Sequence, residues 1–206
     1  MVAALHLSRS LLWGNGGWMV WNLMLALVPA VLSVVLFRRG TRRTALWWTG
    51  LATFVLFLPN APYVLTDVIH FVADVRRAPS TASIVFVILP VYAVFAMVAF
   101  GAYVVSLVNM GRYLRSIGWG RWVEAIEVAT HAACAVGIWL GRFPHVNSWD
   151  LVGRPALIAA ELGHAFTHRV PLVVMAMTFV MVAAFYAVAK AVVLLFSPAD
   201  RPTTAR

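Results

Sequence analysis

Five long, predominantly apolar runs dominate this sequence, covering residues 18–37, 46–64, 82–108, 122–140 and 172–196. A helix needs about 20 apolar residues to cross the hydrocarbon core of a bilayer, because each residue adds about 1.5 Å. The third and fifth runs exceed that length, so they must tilt, extend beyond the hydrocarbon or, in the third run, kink at Pro90. The pattern predicts an all-α, polytopic transmembrane bundle of about five spans with short interfacial helices.

The composition excludes the soluble classes of protein. Hydrophobic residues make up 63% of the chain and charged residues 11%, whereas about a quarter of the residues in a soluble domain are charged. A disordered chain needs more charge, and a disulfide scaffold needs more cysteines than Cys134 alone. We expect a single membrane domain over residues 1–206, since no linker or repeat interrupts the runs.

The basic residues predict the orientation of the chain. Of sixteen Lys and Arg, ten fall on the side of the first loop, the third loop and the carboxyl-terminal tail, with Lys190 reaching toward that side, and six fall on the other. Loops rich in Lys and Arg stay in the cytoplasm, so we expect the amino terminus outside and the carboxyl terminus inside. Residues 1–17 are too short to cross, carry no signal-peptide cleavage pattern and are expected to lie in the interface. Because the bases flank apolar spans, the expected partner is the lipid bilayer and not nucleic acid.

The first of two long segments on the predicted outer side, residues 58–81, begins with a helix break at Pro59 and Pro62, on either side of Asn60. The polar residues that follow recur at offsets 0, 4, 7 and 11, which places them on one helical face: Tyr63, Asp67, His70 and Asp74. We interpret this stretch as a helix lying on the membrane. Its polar face is either part of a site or a surface that merely meets water.

The second segment, residues 141–171, gathers functional side chains directly after a span: Arg142, His145, Asn147, Ser148, Trp149 and Asp150. Arg142 can bind a phosphate or carboxylate with two parallel hydrogen bonds, and Asp150 can orient that arginine or a histidine. The alternative is that the arginine and the tryptophan anchor the helix end at the lipid headgroups.

Two further patterns involve histidines. Glu161, His164 and His168 stand at offsets 0, 3 and 7, a spacing that lets three side chains reach one divalent metal ion, unless this is only a solvated helix face. Glu127 and His131 lie inside the fourth run, where ionisable groups are costly unless they are paired. They form either an intramembrane proton relay or a structural pair in which neutral His131 is hydrogen-bonded to Glu127.

Two of these regions carry long and unusual motifs, FLPNAPYVLTD at residues 57–67 and GIWLGRFPHVNSWD at residues 137–150. In both, the chain resembles an uncharacterised family of small bacterial membrane proteins, a domain of unknown function, and the arrangement of spans extends the resemblance over most of the chain. The second motif of that family more often reads GIYLGRFLRWNSWD, so this chain departs from it at Trp139, Pro144, His145 and Val146. The resemblance implies a bacterial cytoplasmic membrane and nothing about a reaction. The matching positions, which it implies are functional, are Asn60, Tyr63, Thr66, Asp67, Arg142, Asn147, Ser148 and Asp150.

Together these observations favour an outward-facing polar site that binds or modifies an anionic or polar group such as a lipid headgroup. Arg142 would hold the anion, Asp150 would orient Arg142, and Asp67 with His70 would act as base or metal ligand. The expected substrate contacts are Asn60, Tyr63, Thr66, Asn147 and Ser148. Two alternatives stay open: a non-catalytic subunit or scaffold that docks another membrane protein, and a proton- or ion-coupled transporter that uses Glu127 and His131.

Overall fold

The computed structural model describes residues 16–39 and 43–196, and every regular element within those ranges is helical. The principal helices are α1 Gly16–Ser33, α2 Ala45–Phe57, α3 Asn60–Tyr63, α4 Val68–Arg77, α5 Leu89–Ser116, α6 Val123–Arg142, α7 Asp150–Gly153, α8 Pro155–Thr167 and α9 Arg169–Phe196. The predicted all-α bundle is therefore confirmed.

Five helical stretches in the described part of the chain are long and apolar enough to cross a membrane: Gly17–Arg39, Ala45–Arg77, Thr81–Ser116, Gly120–Arg142 and Arg169–Val193. The chain is a multi-pass membrane protein whose apolar helix faces contact the lipid bilayer. The amino-terminal residues 1–15, Arg42, and the tail bases Arg201 and Arg206 on which part of the orientation argument rests lie outside the described residues.

Prolines shape two of the stretches. Pro59 and Pro62 follow α2, and the chain then passes through α3 and a 3₁₀ turn, Val64–Thr66, before α4 begins. In the third stretch a π-helical turn, Ile84–Ile88, lies directly before Pro90. Proline has no N–H and its ring collides with the carbonyl four residues earlier, so the hydrogen-bond ladder widens at this point. The distortion expected at Pro90 therefore takes the form of a π-helical turn.

The helices pack in two groups. In the first, α1 lies chiefly against α5 and α2, around the fully buried side chains of Phe54, Tyr103 and Leu107. In the second, α6 packs chiefly on α9. Large apolar side chains such as Leu46 and Phe86 point outward, as expected where the surrounding solvent is lipid.

The connections place the two motif segments at one end of the bundle. This motif end comprises residues 59–80 and 142–168, together with the first turns of α1 and α9. There Trp18 of α1 stacks on His70 of α4 with ring centroids 4.5 Å apart. At the opposite end, Arg43 Nε donates a hydrogen bond to the Tyr113 hydroxyl at 3.2 Å. We call that end the arginine-rich end, since its described bases are Arg38, Arg39, Arg43, Arg112, Arg115 and Arg121.

Candidate functional site

Arg142, the last residue of α6, joins the two motif segments. Its Nη1 donates hydrogen bonds to the Tyr63 hydroxyl at 3.2 Å and to Asp67 Oδ1 at 3.1 Å, and its Nη2 donates to the Thr66 carbonyl oxygen. The guanidinium carbon also lies 5.3 Å from the centre of the Tyr63 ring. We call these four residues the Arg142 clasp. It holds the end of α6 against the α3–α4 connection.

The clasp gives Arg142 a structural role that was not expected. The guanidinium was expected to hold an anionic ligand; its Nη1 and Nη2 donate three hydrogen bonds to protein oxygens, and only 18% of its side chain is exposed. Asp67 is 3% exposed, and its second oxygen, Oδ2, is buried with no hydrogen-bond partner among the described residues. A buried ion pair of this kind depends strongly on each partner, because removing one leaves the other charge uncompensated.

Asn60 and Ser148 make a second link between the two motifs. Asn60 Nδ2 donates to the Phe57 carbonyl at 2.9 Å and to Ser148 Oγ at 3.2 Å, and Ser148 Oγ donates to the Leu56 carbonyl at 3.2 Å. The helix break leaves backbone carbonyls at the end of α2 without helical partners, and these side chains satisfy two of them. Close by, Gly137 of α6 allows the Pro59 ring to approach, since a Cβ at that position would stand 2.7 Å from Pro59 Cγ.

Asp150 organises the loop after α6, and it does not orient Arg142 as expected. Its Oδ2 accepts a hydrogen bond from the Asn147 backbone N–H at 2.8 Å, and its Oδ1 pairs with Arg154 at 2.7 Å. The Asn147 N–H and then the Arg154 guanidinium hold the pKa of the Asp150 carboxyl below its usual value. Arg154 was not among the predicted site residues, although its four-residue spacing from Asp150 is a known ion-pair spacing on helices. His145, exposed in the same loop, adopts a left-handed backbone with φ 57°.

A pocket of about 430 Å³ lies beside these links, between α1, the α2–α3 break, α6 and α8. Its wall is mostly apolar, with Val136 and Leu140 from α6 and Leu162 from α8. Four of its polar lining residues were predicted from the sequence as substrate contacts, whereas Asn22, a lone amide within the first apolar run, was not. The polar lining residues are Asn22, Asn60, Tyr63, Asn147 and Ser148.

The polar residues of α4 turn away from this pocket. His70 stacks on Trp18, and Asp74 is buried and accepts a hydrogen bond from the Tyr92 hydroxyl at 2.8 Å. Tyr63 and Asp67 contact α6 instead. The four residues expected on one helical face therefore contact three different helices, α1, α5 and α6.

The proposed metal-binding triplet lies at the end of α8. Glu161 and His164 belong to α8, which ends at Thr167, and His168 follows with an extended backbone. The two histidine rings are exposed and stack with centroids 4.0 Å apart. Within residues 16–39 and 43–196, no three His, Cys, Asp or Glu side chains are grouped so that they could hold a metal ion.

Glu127 and His131 lie on another side of α6 and bind different partners. Glu127 accepts hydrogen bonds from Tyr186 and Lys190, whereas His131 bonds to the Tyr103 hydroxyl. The hydrogen bond expected between Glu127 and His131 is thus replaced by contacts to α9 and α5. Lys190 Nζ pairs with Glu127 Oε2.

Comparison with known families gives a match over most of the chain. The profile of the family described as "Protein of unknown function (DUF1361)" matches residues 21–184. The chain belongs to this family. No curated protein and no solved structure matches it. The DUF1361 match includes the Arg142 clasp, the Asn60–Ser148 link and the whole lining of the pocket.

Proposed function

We propose that this DUF1361 protein binds a membrane lipid in the pocket between α1, the α2–α3 break, α6 and α8. The observation that supports this function is the two-part lining of the pocket. Polar side chains from Asn60, Tyr63, Asn147 and Ser148 gather at the motif end, and the remainder of the lining is apolar except for Asn22 of α1. The lining extends along α6 from Ala133 to Gly141, about 12 Å at the helical rise per residue. A lipid, with a polar headgroup and a hydrocarbon chain, matches such a site.

In this proposal the residues divide into contacts and supports. Asn60, Tyr63, Asn147 and Ser148 meet the headgroup, while Arg142 and Asp67 act through Tyr63 by fixing its hydroxyl. A negatively charged phosphate is favoured at this end because Arg154 keeps 61% of its side chain exposed while paired to Asp150.

The motif end faces the outside of a bacterial cytoplasmic membrane in this proposal. The arginine-rich end gathers six described arginines in and beside two short connections, between α1 and α2 and between α5 and α6. Basic residues in short loops favour the cytoplasmic side. The headgroup end of the pocket then meets the outer leaflet.

Lipid retention in native mass spectrometry tests the binding function. Ala133 of α6 lines the pocket and its neighbour Ala132 does not, although both are exposed, so Ala133→Phe and Ala132→Phe form a matched pair. We expect the wild type and Ala132→Phe to retain one phospholipid under conditions that strip the detergent. Overfilling a pocket costs about 1–3 kcal/mol. The Ala133→Phe protein should therefore retain about tenfold less phospholipid than the wild type. Equal retention by all three proteins, or retention by none, would overturn the proposal.

A further inference from the structure

A second group of polar side chains lies between α5, α6 and α9, apart from the pocket. We call it the midplane cluster: Tyr103, Glu127, His131, Tyr186 and Lys190. Lys190 Nζ donates to Glu127 Oε2 at 2.6 Å, and the Tyr186 hydroxyl donates to Glu127 Oε1 at 2.8 Å. The Tyr186 ring lies 4.9 Å from the His131 ring, and the Tyr103 hydroxyl lies 2.6 Å from His131 Nδ1. Tyr186 therefore contacts both the carboxylate and the imidazole.

His131 occupies the centre of its membrane span. It is the middle residue of Gly120–Arg142, a stretch of 23 residues, so it lies about 16 Å from each end of the helix. It is 3% exposed. The Lys190 side chain, 26% exposed, lies toward the arginine-rich end on the last turns of α9. The cluster thus extends from a partly accessible ammonium group to a buried imidazole.

Packing alone accounts for part of this cluster. The ion pair with Lys190 and the bond from Tyr186 satisfy the charge of Glu127. These two contacts of Glu127 do not explain why His131 stands one helical turn farther into the membrane. An apolar ring would fill the same space without burying ring nitrogens. An ionisable group kept at that depth marks a function or a partner.

We propose that His131 is a reversible proton-binding site in the membrane interior, loaded from the arginine-rich end by way of Lys190 and Glu127. Histidine is suited to this role because imidazole gains and loses a proton near neutral pH. One proton from water converts the imidazole to imidazolium, and nothing is oxidised. Both ring nitrogens then donate, so the Tyr103 hydroxyl becomes the acceptor of the Nδ1–H.

The charges around His131 determine how the site responds to substitution. Glu127 supplies the negative charge that favours imidazolium, and Lys190 opposes it. Arg115 of α5 adds positive charge close to Glu127. A Cβ added to Gly111 would lie 3.9 Å from Arg115 Nη1 and 3.7 Å from Glu127 Oε1, so the two side chains border the same space. Tyr103 and Tyr186, which contact the imidazole, and the buried thiol of Cys134, which contacts Tyr103, add no charge.

Nitrogen NMR of ¹⁵N-histidine-labelled protein in phosphatidylethanolamine–phosphatidylglycerol nanodiscs tests the site. The chain has six histidines, so the His131 signal is assigned by its loss in His131→Gln. We expect this signal to be that of neutral imidazole at neutral pH and to change reversibly to that of protonated imidazole as the sample is acidified to about pH 5. In Glu127→Gln it should stay neutral down to about pH 5, because no anion remains to offset Lys190.

Two further variants serve as a matched control and as a second test of how the surrounding charges affect His131. Glu124→Gln makes the same substitution at an exposed position of α6 and should behave as the wild type. Lys190→Met removes the opposing cation, so His131 should become protonated at a higher pH, and this variant decides the question if Glu127→Gln does not fold. The proposal fails if His131 stays neutral at pH 5 in the wild type, or if its titration is the same in every folded variant.

Discussion

At the level of single residues, Arg142 makes more contacts between the two motif segments than any other side chain described above. One guanidinium holds a hydroxyl, a carboxylate and a backbone carbonyl from a segment about 75 residues earlier in the chain. Lysine has the charge but lacks the planar fork of donors that reaches three acceptors at once. The side chain is therefore suited to joining the end of α6 to the break after α2.

Removing the guanidinium of Arg142 should destabilise the bundle. In Arg142→Gln the buried carboxylate of Asp67 loses its cation, and breaking a buried ion pair in this way costs about 3–5 kcal/mol. Thermal or SDS-induced unfolding in detergent measures the loss. Arg154→Gln is the matched control, since its pair lies at the same end with a largely exposed arginine, and we expect a much smaller loss there. Equal effects of the two substitutions would contradict the clasp.

Asp150 should make stability depend on acid pH. Its pKa is lowered in the folded protein, so its stabilising contribution is present above the unfolded pKa of about 3.9 and is lost as pH falls through the lower, folded value. We expect the difference in Tm between the wild type and Asp150→Asn to be constant from about pH 5 to pH 8 and to shrink below about pH 4. Other carboxyl groups titrate in both proteins, so the difference isolates Asp150. A difference that does not change in acid would contradict this assignment.

The sequence located these residues but did not predict their partners. The motifs drew attention to Asp67, Arg142 and Asp150, yet the expected Asp150–Arg142 contact is absent, and Arg154 takes that position. Partner choice depends on the path of the loop between α6 and α7, including the left-handed backbone at His145. A pattern of residue types does not specify that path.

At the level of elements, the contact between α6 and the α2–α3 break depends on Gly137. A Cβ in Gly137→Ala would stand 2.7 Å from the rigid ring of Pro59, so one helix must move. We expect a loss of about 1–3 kcal/mol in unfolding free energy. Gly101→Ala in α5 is the matched control, because nothing lies within 4 Å of its added Cβ. That substitution should be neutral or stabilise the protein by up to about 1 kcal/mol. A Gly137→Ala protein as stable as the wild type would show that the close approach is unimportant.

The type of each element could be predicted from the sequence. Which neighbouring helices the side chains of the short helices contact could not be predicted. Long apolar runs fix the spans because only a helix satisfies its own backbone groups in lipid. The predicted face of Tyr63, Asp67, His70 and Asp74 assumed 100° of rotation per residue. The 3₁₀ turn Val64–Thr66 rotates by about 120° per residue, and Asp67 lies outside regular helix, with ψ 10°. The rotation along this stretch therefore differs from the uniform value on which the prediction rested. His168 likewise lies beyond the end of α8, with an extended backbone.

At the level of the whole molecule, the account predicts which end is accessible from each side. In a Cys134→Ala background, single cysteines at Arg77 and Gly153 report on the motif end, and one at Ser116 reports on the arginine-rich end; all three positions are exposed. We expect a membrane-impermeant maleimide added to intact spheroplasts to label Arg77→Cys and Gly153→Cys. Ser116→Cys should be labelled only after the membrane is permeabilised. Labelling of Ser116→Cys in intact cells would reverse the orientation.

The two helix groups meet along surfaces with different roles. On one side of α6 the pocket opens between the groups, and on another His131 bonds to Tyr103 of α5. The Arg142 clasp connects the groups at the motif end. The proposed lipid site and the proposed proton site therefore share α6 but use separate side chains, and we expect that each can be lost without the other.

Photochemical mapping of bound lipid tests the central claim most directly. In vesicles that contain phosphatidylethanolamine with a diazirine on its acyl chain, we expect labelling to concentrate on the pocket lining, at Val136 and Leu162. Outward-facing residues such as Met97 should be labelled less. Ala133→Phe should abolish the labelling of the lining and leave the outward faces unchanged, whereas Ala132→Phe should change neither. Labelling spread evenly around the bundle, or unaffected by Ala133→Phe, would mean that lipid only surrounds the protein and does not occupy the pocket.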